Sequence, residues 1–310
     1  MAREHVLEPT QVHYKWSRNT LPAVEAEPGD VVICETQEVS DGQITSGSSA
    51  ETLTRMDLDK VYPLAGPVFV KGARPGDALE IEILDLRTKG WGWTGIIPGL
   101  GLLPEDFPSP YIKHWDLTSG NSTAFRRDIV VPVQPFCGVM GVAPDDSGPL
   151  PVMPPGSWGG NMDIRHLNAG TTLLLPVLVE GGLFSCGDAH AAQGDGEVCV
   201  TGIEAPMHVR LRVSIRRGYS IPSPQFVTPG PLTRLYDSRG YYATTGIAPD
   251  LMQAAKEALR SMIVHLSRHH DLSPEESYAL SSVVVDLKIS EVVDAPNWIV
   301  SAYLPQVIFS

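Results

Sequence analysis

Residues 187–197 (GDAHAAQGDGE) carry the densest group of ionisable side chains in the chain: Asp188, His190, Asp195 and Glu197. Asp188 and His190 are two residues apart, so their side chains point to the same side of an extended segment. This pair suits a divalent metal ion, or a carboxylate that orients a catalytic imidazole. The glycines let the backbone approach a ligand closely, and their amides can donate hydrogen bonds to an oxyanion. The segment therefore predicts a site of chemistry.

The same segment also has a simpler interpretation. Residues 195–196 (DG) can form an ordinary hairpin turn, with the acid and the histidine of the cluster exposed to solvent beside it. Two further acids favour the chemical interpretation. Asp163 stands among glycines in residues 159–163 (GGNMD), and Glu204 ends the apolar segment that follows the cluster. Three segments thus carry acids that one site can combine.

Segments with strand character, separated by turn signals, must position these residues. Residues 79–84 (LEIEIL) alternate, which puts Glu80 and Glu82 on the face opposite the isoleucines. The linkers between such segments have turn composition, as in residues 73–77 (ARPGD). We expect antiparallel strands, packed as a sandwich, at 31–36, 67–71, 79–86, 129–133, 171–179, 197–204 and 207–215.

The pattern changes after about residue 245. From Pro249 onward, apolar residues recur at intervals of three and four, which predicts an amphipathic helix; they are Leu251, Met252, Ala255, Leu259, Met262, Ile263 and Leu266. Ser273 can cap a second helix, with Pro274 at its first position and Glu276 closing a capping box. Strand-like sequence returns at 283–287 and 298–300.

These elements predict a mainly β (α+β) fold. We expect an antiparallel β-sandwich core over residues 1–220 that carries the chemical loops. Residues 221–310 form an α/β portion with two helices and closing strands, packed on this core. Glycine, proline and tryptophan concentrate between Gly90 and Trp115, which predicts a long irregular loop beside the site. The bulky side chains expected to border the pocket are Trp91, Trp93, Trp115 and Trp158.

Composition excludes several classes of partner. The chain has 23 Lys and Arg against 36 Asp and Glu, a formal charge of −13, and lacks a basic run. This argues against binding to nucleic acid or to an anionic membrane. The longest apolar stretch, residues 172–179, is far shorter than the roughly 20 residues that span a bilayer, and residues 1–5 do not lead into a signal peptide. We expect a cytoplasmic protein whose four cysteines are reduced and buried.

The motifs together resemble the acetamidase/formamidase family of amidohydrolases, and the resemblance extends over nearly the whole chain. It is carried by residues 13–16 (HYKW), 66–73 (GPVFVKGA), 159–163 (GGNMD), 173–177 (LLLPV), 187–190 (GDAH), 194–199 (GDGEVC) and 245–250 (TGIAPD). The resemblance implies a β-rich sandwich, a homo-oligomer, and hydrolysis of small linear amides at a site with a divalent metal ion, zinc or calcium.

Within that expectation, each cluster residue receives a role. Asp163, Asp188 and His190 are expected to hold the metal ion, and His13 is a further candidate ligand. Glu197 is expected to shuttle the proton between water and the departing nitrogen, with Glu204 as the second choice. Primary amides of short, uncharged acids such as formamide and acetamide are the expected substrates, and peptides are not.

Two alternatives remain open at this stage. Cys186 lies beside the cluster, so a cysteine amidase with His190 as base and Asp188 orienting it is possible, although an apolar strand disfavours the thiolate. The second alternative is a non-catalytic, lectin-like sandwich in which an acidic loop binds calcium. Coordination by oxygen alone would favour that protein, whereas a nitrogen ligand from His190 would favour the hydrolase.

Overall fold

Strands dominate the computed structural model, which describes residues 2–310 and confirms the mainly β, α+β fold. The strands are β1 Glu4–Leu7, β2 Val12–His13, β3 Lys15–Trp16, β4 Val24–Ala26, β5 Val31–Thr36, β6 Leu64–Val70, β7 Ala78–Thr88, β8 Trp91–Ile96, β9 Tyr111–Asp116, β10 Ser122–Arg126, β11 Ile129–Pro132, β12 Phe136–Gly141, β13 Leu150–Pro151, β14 Gly159–Asn161, β15 Thr172–Pro176, β16 Phe184–His190, β17 Met207–Arg216, β18 Gln225–Val227, β19 Tyr241–Ala248, β20 Asp286–Glu291 and β21 Trp298–Pro305. The α-helices among the described residues are α1 Leu251–His270 and α2 Pro274–Val284.

Two six-stranded sheets form the predicted sandwich. The first has the order β1-β5-β17-β7-β15-β18, and the second has β14-β12-β16-β6-β2 with β4 beside β6. Alternation explains the layers, because Ile81 and Ile83 of β7 are buried while Glu80 and Glu82 face outward. The inner faces of both sheets meet in one apolar cluster, to which Ile81 of the first sheet and Phe184 of the second contribute. Most strand pairs are antiparallel, as predicted.

The C-terminal portion contains both predicted helices. The Asp250 carboxylate caps α1 through the backbone amide of Gln253, and Ser273 with Glu276 forms the capping box of α2. Helix α1 packs on the sheet β19-β21-β20. Its buried stripe includes Leu259, Met262, Ile263 and Leu266 as predicted, but Leu251 and Met252 at its first turn lie on the surface.

Both halves of the chain share a second apolar core. Residues of α1 and α2 pack there with Ile129 and Val131 of β11 and with Ile203, which lies close to the chemical cluster. Strand β18, beyond residue 220, pairs with β15 of the first sheet. The division into residues 1–220 and 221–310 therefore stays a prediction. Among residues 2–310, none of the helices is long and apolar enough to cross a membrane.

Three local predictions were wrong. Residues 197–204 form turns rather than a strand, because their backbone amides bond scattered acceptors instead of one neighbouring strand, as in Val200 N–H to Glu197 O and Ile203 N–H to Ala192 O. The span from Gly90 to Trp115 contains the hairpin β8–β9, so only residues 97–110 are irregular. Residues 283–284 end α2, and the next strand starts at 286; an apolar run alone does not distinguish a buried helix end from a strand.

Candidate active site

Strand β16 lies in the middle of the second sheet and ends at the chemical cluster. It pairs with β12 on one side and β6 on the other, and Asp188 and His190 are its last polar residues. The turn-rich segment after the cluster returns to this end. There the backbone of Glu204 forms isolated β-bridges with His190 and with Trp93 of β8. The Trp93 and Glu204 backbones exchange hydrogen bonds of 2.9 and 2.8 Å. Residues remote in sequence therefore meet at the end of β16.

His190 is the centre of the cluster. Its Nε2 atom lies 3.1 Å from Glu204 Oε2, 3.3 Å from Asp188 Oδ1 and 3.9 Å from Glu197 Oε1. Its Nδ1 atom lies 2.7 Å from Gln193 Oε1. Asp188, His190 and Glu204 are 3%, 1% and 1% exposed, which rules out the interpretation of a solvated hairpin. One imidazole nitrogen thus faces several carboxylates.

Asp163 and Glu197 complete the cluster from two loops. Asp163, Asp188 and Glu197 have φ of 47°, 49° and 43°, the left-handed region that side chains rarely adopt. Tyr62 and Val200, beside the same site, also have positive φ, at 61° and 76°. Such strained residues concentrate where function holds side chains in place.

The donor atoms fit a divalent metal ion. They form two overlapping groups, Asp163 with His190 and Glu197, and Asp188 with His190 and Glu204, in each of which all atoms lie within 4.8 Å of one another. Buried Glu204 Oε2 and Asp163 Oδ1 have no hydrogen-bond partner, although buried oxygens normally find one. His190 gives both groups a nitrogen, which departs from the all-oxygen site of a calcium-binding lectin.

Burial and mutual repulsion raise the pKa of three carboxyl groups of the cluster. Burial, with repulsion from Asp188, raises the pKa of Asp163 to about 7. Burial likewise raises the pKa of Glu204 to about 8 despite the opposing effect of His190, and raises that of Glu197 well above its usual range. Burial disfavours the His190 imidazolium, but Glu204 and Asp188 outweigh it and raise the pKa of His190. A cation would relieve this repulsion.

A small cavity of about 100 Å³ opens above the acids, and Asp188, Glu197 and Glu204 line it. Its walls are mostly apolar and include Val39, Met56, Tyr62, Trp93, Ile97 and Leu100. Of the four tryptophans expected to border the pocket, Trp93 does so. Trp115 is buried against Phe125 and Trp158 packs beside Trp16, each in another apolar cluster, and Trp91 does not line the cavity.

Glu38 anchors the Trp93 wall of the cavity. The carboxylate is 2% exposed and accepts hydrogen bonds from Trp93 Nε1 at 2.9 Å, from Ser40 N and Oγ at 3.0 and 2.7 Å, and from Gly42 N at 2.6 Å. These bonds hold the 38–42 turn and the indole together. The position of Trp93 in the cavity wall is consequently fixed by hydrogen bonds of the fold.

His13 lies outside the cluster, and the expectation that it joins the metal ion is not supported. Its Nδ1 atom is 2.9 Å from the Lys15 carbonyl oxygen and its Nε2 atom is 2.8 Å from Ser185 Oγ, so both ring nitrogens are used. Burial lowers the pKa of His13. An imidazole whose two nitrogens are both hydrogen-bonded is a structural link between β2 and β16.

Cys186 does not have the surroundings of a nucleophile. It is buried in the core between the two sheets, with its Sγ atom 3.6 Å from Cys34 Sγ. Contact with the Cys137 thiol and burial raise its pKa well above the usual range. A thiol held in this form is inert, so the structure disfavours the cysteine-amidase alternative. All four cysteines are free and buried, as predicted.

Sequence reasoning did not find four residues that shape the site. Gln193 and Glu38 each bond a residue far away in sequence, Asp163 and Trp93 respectively, and Tyr62 lines the cavity, so no local pattern marks these three roles. Gly138 is required because a Cβ there would lie 2.3 Å from Asp163 Oδ1 and 3.1 Å from Asp188 Oδ2. Only tertiary contact reveals these roles.

Comparison with known proteins identifies the family of this chain. The chain matches the Acetamidase/Formamidase family over residues 2–150 and 149–310, which together span almost its whole length. The chain belongs to this family. The resemblance drawn from the sequence motifs is thereby confirmed.

The relatives of this acetamidase/formamidase family member act on amides by name. A formamidase of Methylophilus methylotrophus is 28% identical, covering 96% of this chain and 89% of its own. A gamma lactamase from Delftia acidovorans has a TM-score of 0.92 at 29% identity, covering 100% of this chain and 94% of its own. An acetamidase from Bacillus halodurans has a TM-score of 0.69 at 34% identity, covering 97% of both chains. The protein is an amide-hydrolysing enzyme.

Proposed function

We propose that this enzyme hydrolyses small, uncharged amides with the help of a divalent metal ion bound at the cluster around His190. The observation that carries the proposal is the meeting of four carboxylates and one imidazole beside a small apolar cavity. Amide hydrolysis needs an activated water, stabilisation of the oxyanion and a proton for the leaving nitrogen. The proposed ion would meet the first two requirements, and a carboxyl group of the cluster would meet the third.

Asp188, His190 and Glu204 are the best candidates to hold the ion, since all three are buried and their donor atoms lie within 4.8 Å of one another. One imidazole with carboxylates suits zinc, whereas calcium prefers six to eight oxygens. Zinc is therefore the proposed ion and calcium the alternative. When bound, such an ion lowers the pKa of water toward ~7 and polarises an amide carbonyl.

Glu197 is the proposed general acid and base. Its carboxyl group lines the cavity, and burial beside Asp163 raises its pKa well above the usual range. A glutamate in that state can take a proton from water and give it to the departing nitrogen. Asp163 belongs to the same group of donor atoms as Glu197, all within 4.8 Å of one another, and we assign it the role of positioning the Glu197 carboxyl group. In this assignment Glu204 moves from proton shuttle to metal ligand, and Asp163 from ligand to positioning residue.

The cavity favours neutral substrates of modest size. Its walls are apolar and its volume is about 100 Å³, which suits short acyl groups and excludes a peptide chain by overlap. The carboxylates at its floor disfavour an anionic substrate. Formamide and acetamide, the compounds in the names of the relatives, meet both conditions.

A cyclic amide is a second candidate substrate. The gamma lactamase from Delftia acidovorans superposes over the whole of this chain with a TM-score of 0.92, against 0.69 for the acetamidase from Bacillus halodurans. A five-membered lactam is compact, neutral and largely apolar, so the same cavity properties favour it. Its hydrolysis opens the ring and releases no ammonia.

The test compares ammonia release from formamide, acetamide, propionamide and benzamide with ring opening of 2-pyrrolidinone and with cleavage of a blocked dipeptide amide. We expect turnover of the short amides or the lactam, and none of the peptide. Glu197→Gln should lower kcat by about 10²–10⁴-fold. The control is Glu8→Gln, which changes an exposed glutamate and should leave kcat unchanged.

Preference for 2-pyrrolidinone over acetamide would select the second candidate. Efficient peptide cleavage, or a clear preference for benzamide over acetamide, would contradict the proposed pocket. Unchanged turnover in Glu197→Gln would contradict the proposed proton shuttle.

A further inference from the structure

Gln193 is a buried side chain that touches two parts of the cluster at once. It is 2% exposed and does not line the cavity. Its Nε2 atom donates a hydrogen bond to the Asp163 carbonyl oxygen at 2.9 Å, and its Oε1 atom lies 2.7 Å from His190 Nδ1. The amide therefore connects the histidine at the end of β16 to the loop that carries Asp163.

These two contacts determine where His190 carries its proton. A carbonyl oxygen can only accept, so the NH₂ group of Gln193 must face Asp163. The Oε1 atom then faces His190, and it also can only accept. The Nδ1 atom of His190 must therefore be the donor. In the neutral imidazole this leaves the lone pair on Nε2.

Nε2 is the nitrogen that faces the carboxylates, with Glu204 Oε2 at 3.1 Å and Asp188 Oδ1 at 3.3 Å. We propose that Gln193 is a positioning residue that holds His190 as the Nδ1–H form and thereby presents Nε2 to the divalent ion. This inference rests on the metal site of the proposed function. The reason is general, because the hydrogen bond to the second ring nitrogen sets the tautomer and orientation of a ligating histidine.

The surroundings of the ring leave few other orientations. Phe136 packs against it edge to face, with centroids 5.1 Å apart at 85°. On another side, a Cβ at Gly202 would lie 3.0 Å from Nδ1, so the chain passes close to the ring. A flipped ring would put a carbon atom opposite Gln193 Oε1 and leave that buried oxygen without a donor.

The same residue supports a strained part of the site. Asp163 has a φ of 47°, and its carbonyl oxygen receives the Gln193 amide. Loss of the amide would free both the His190 ring and the Asp163 turn. We thus expect Gln193 to affect metal affinity and kcat, but to leave KM little changed because it lies outside the cavity.

The experiment measures zinc affinity by competition with a chelator, in wild type and in Gln193→Met and Gln193→Glu. Met has a similar length and no acceptor for Nδ1–H, whereas Glu keeps that acceptor but cannot donate to Asp163. We expect Gln193→Met to weaken zinc binding by about 10–100-fold, and Gln193→Glu to recover much of it. Gln253→Met, at an exposed position of α1, is the matched control.

A second readout is independent of turnover. Proteins with ¹⁵N-labelled histidine and bound zinc are compared by long-range ¹H–¹⁵N spectra, with the His190 signal assigned by its loss in His190→Ala. Wild type and Gln193→Glu should show a protonated Nδ1 and a metal-bound Nε2. In Gln193→Met this pattern should broaden or disappear. Thermal unfolding of each variant separates a failure to fold from a change at the site.

The outcomes distinguish two failures. If wild type binds zinc and Gln193→Met binds it equally well with the same His190 spectrum, the role of Gln193 is overturned while the metal site stands. If wild type binds no divalent ion, the metal site is overturned and this inference with it. If Gln193→Met does not fold, the His190 spectrum of zinc-bound Gln193→Glu decides: a protonated Nδ1 supports the role of residue 193, and an unprotonated Nδ1 overturns it.

Discussion

Asp163, Asp188 and Glu197 show at the residue scale why this cluster is costly to build. Each holds a left-handed backbone, which costs of order 1–3 kcal/mol. Each also brings a carboxylate into a site where its neighbours are negative. The contacts that hold these backbones are both local, such as Val200 N–H to Glu197 O at 2.9 Å, and long-range, such as Asp163 N–H to Gly138 O at 3.2 Å. Backbone strain and carboxylate repulsion of this kind are expected in sites selected for catalysis rather than for stability.

The first prediction concerns two members of the buried group. Asp188→Asn and His190→Ala should lower kcat by at least ~100-fold and reduce bound metal to a small fraction of wild type, because the first removes a ligand's negative charge and the second removes the ligand nitrogen of the proposed ion site. Metal content is measured by elemental analysis and turnover by product release. His269→Ala removes an exposed histidine and serves as the control. Full metal content with unchanged turnover in both variants would refute the assignment.

At the scale of elements, strands position the residues of the cluster, and a turn supports the Trp93 wall of the cavity. Strand β16 carries Asp188 and His190, while the hairpin β8–β9 brings Trp93 against Glu204. Glu38, in the turn after β5, accepts four hydrogen bonds and fixes the indole. Three elements thus define one face of the cavity.

The second prediction tests that wall. Glu38→Ala leaves four donors without their acceptor, so it should lower the free energy of unfolding by about 2–4 kcal/mol. It should also raise KM for a short amide more than it lowers kcat, since Trp93 borders the cavity and no group of the proposed chemistry is removed. Denaturant unfolding and steady-state kinetics measure the two effects. Glu38→Gln keeps an acceptor, so its free energy of unfolding and its KM should lie between those of wild type and Glu38→Ala. Wild-type stability and KM in Glu38→Ala would contradict the role of Glu38 in fixing Trp93.

At the scale of the whole molecule, metal removal should affect stability and activity together. An ion that binds only the folded protein stabilises it, by about 2.7 kcal/mol when its concentration is 100 times Kd. We expect a chelator to lower both Tm and turnover, and added zinc to restore both. Calorimetry with and without chelator measures Tm. An unchanged Tm after verified removal of the metal would show that the ion does not stabilise the fold.

The metal-free protein should also lose stability as pH rises from about 5 to 8. The folded-state pKa of Glu204 is raised to about 8 and that of His190 is raised as well, so the folded protein binds more protons than the unfolded chain. Stability then falls with rising pH through this window. The loss of Tm should be smaller in metal-free Glu204→Gln. A metal-free Tm that rises between pH 5 and 8 would contradict the stated shifts.

The net charge of −13 leads to the last prediction. An anionic monoamide such as succinamate approaches against a negative field, so its kcat/KM should be lower than that of neutral propionamide. Salt screens this repulsion. Raising ionic strength should therefore increase kcat/KM for succinamate several-fold and change that of propionamide little. Equal responses of the two substrates to salt would show that the field does not select between them.

Patterns in the chain determined much of this protein before any coordinates. Alternation in residues 79–84 predicted a half-buried strand, and the Ser273–Glu276 box predicted the start of α2, because both signals are local in sequence. Family motifs pointed to amide hydrolysis, and the acids at 163, 188, 197 and 204 were all found as candidates. The strand, the helix start and the candidate acids followed from residue type and spacing, whereas amide hydrolysis followed from the resemblance to the family.

Only the tertiary structure decided which candidates meet. His13 looks like a ligand in sequence, yet Lys15 and Ser185 occupy its nitrogens. Residues 197–204 look like a strand, yet they form turns that bring Glu204 back to His190. Gln193 and Gly138 acquire their roles from contacts across strands and loops. Hydrogen bonding, exclusion of volume and carboxylate repulsion act through space, so short-range periodicity cannot report them.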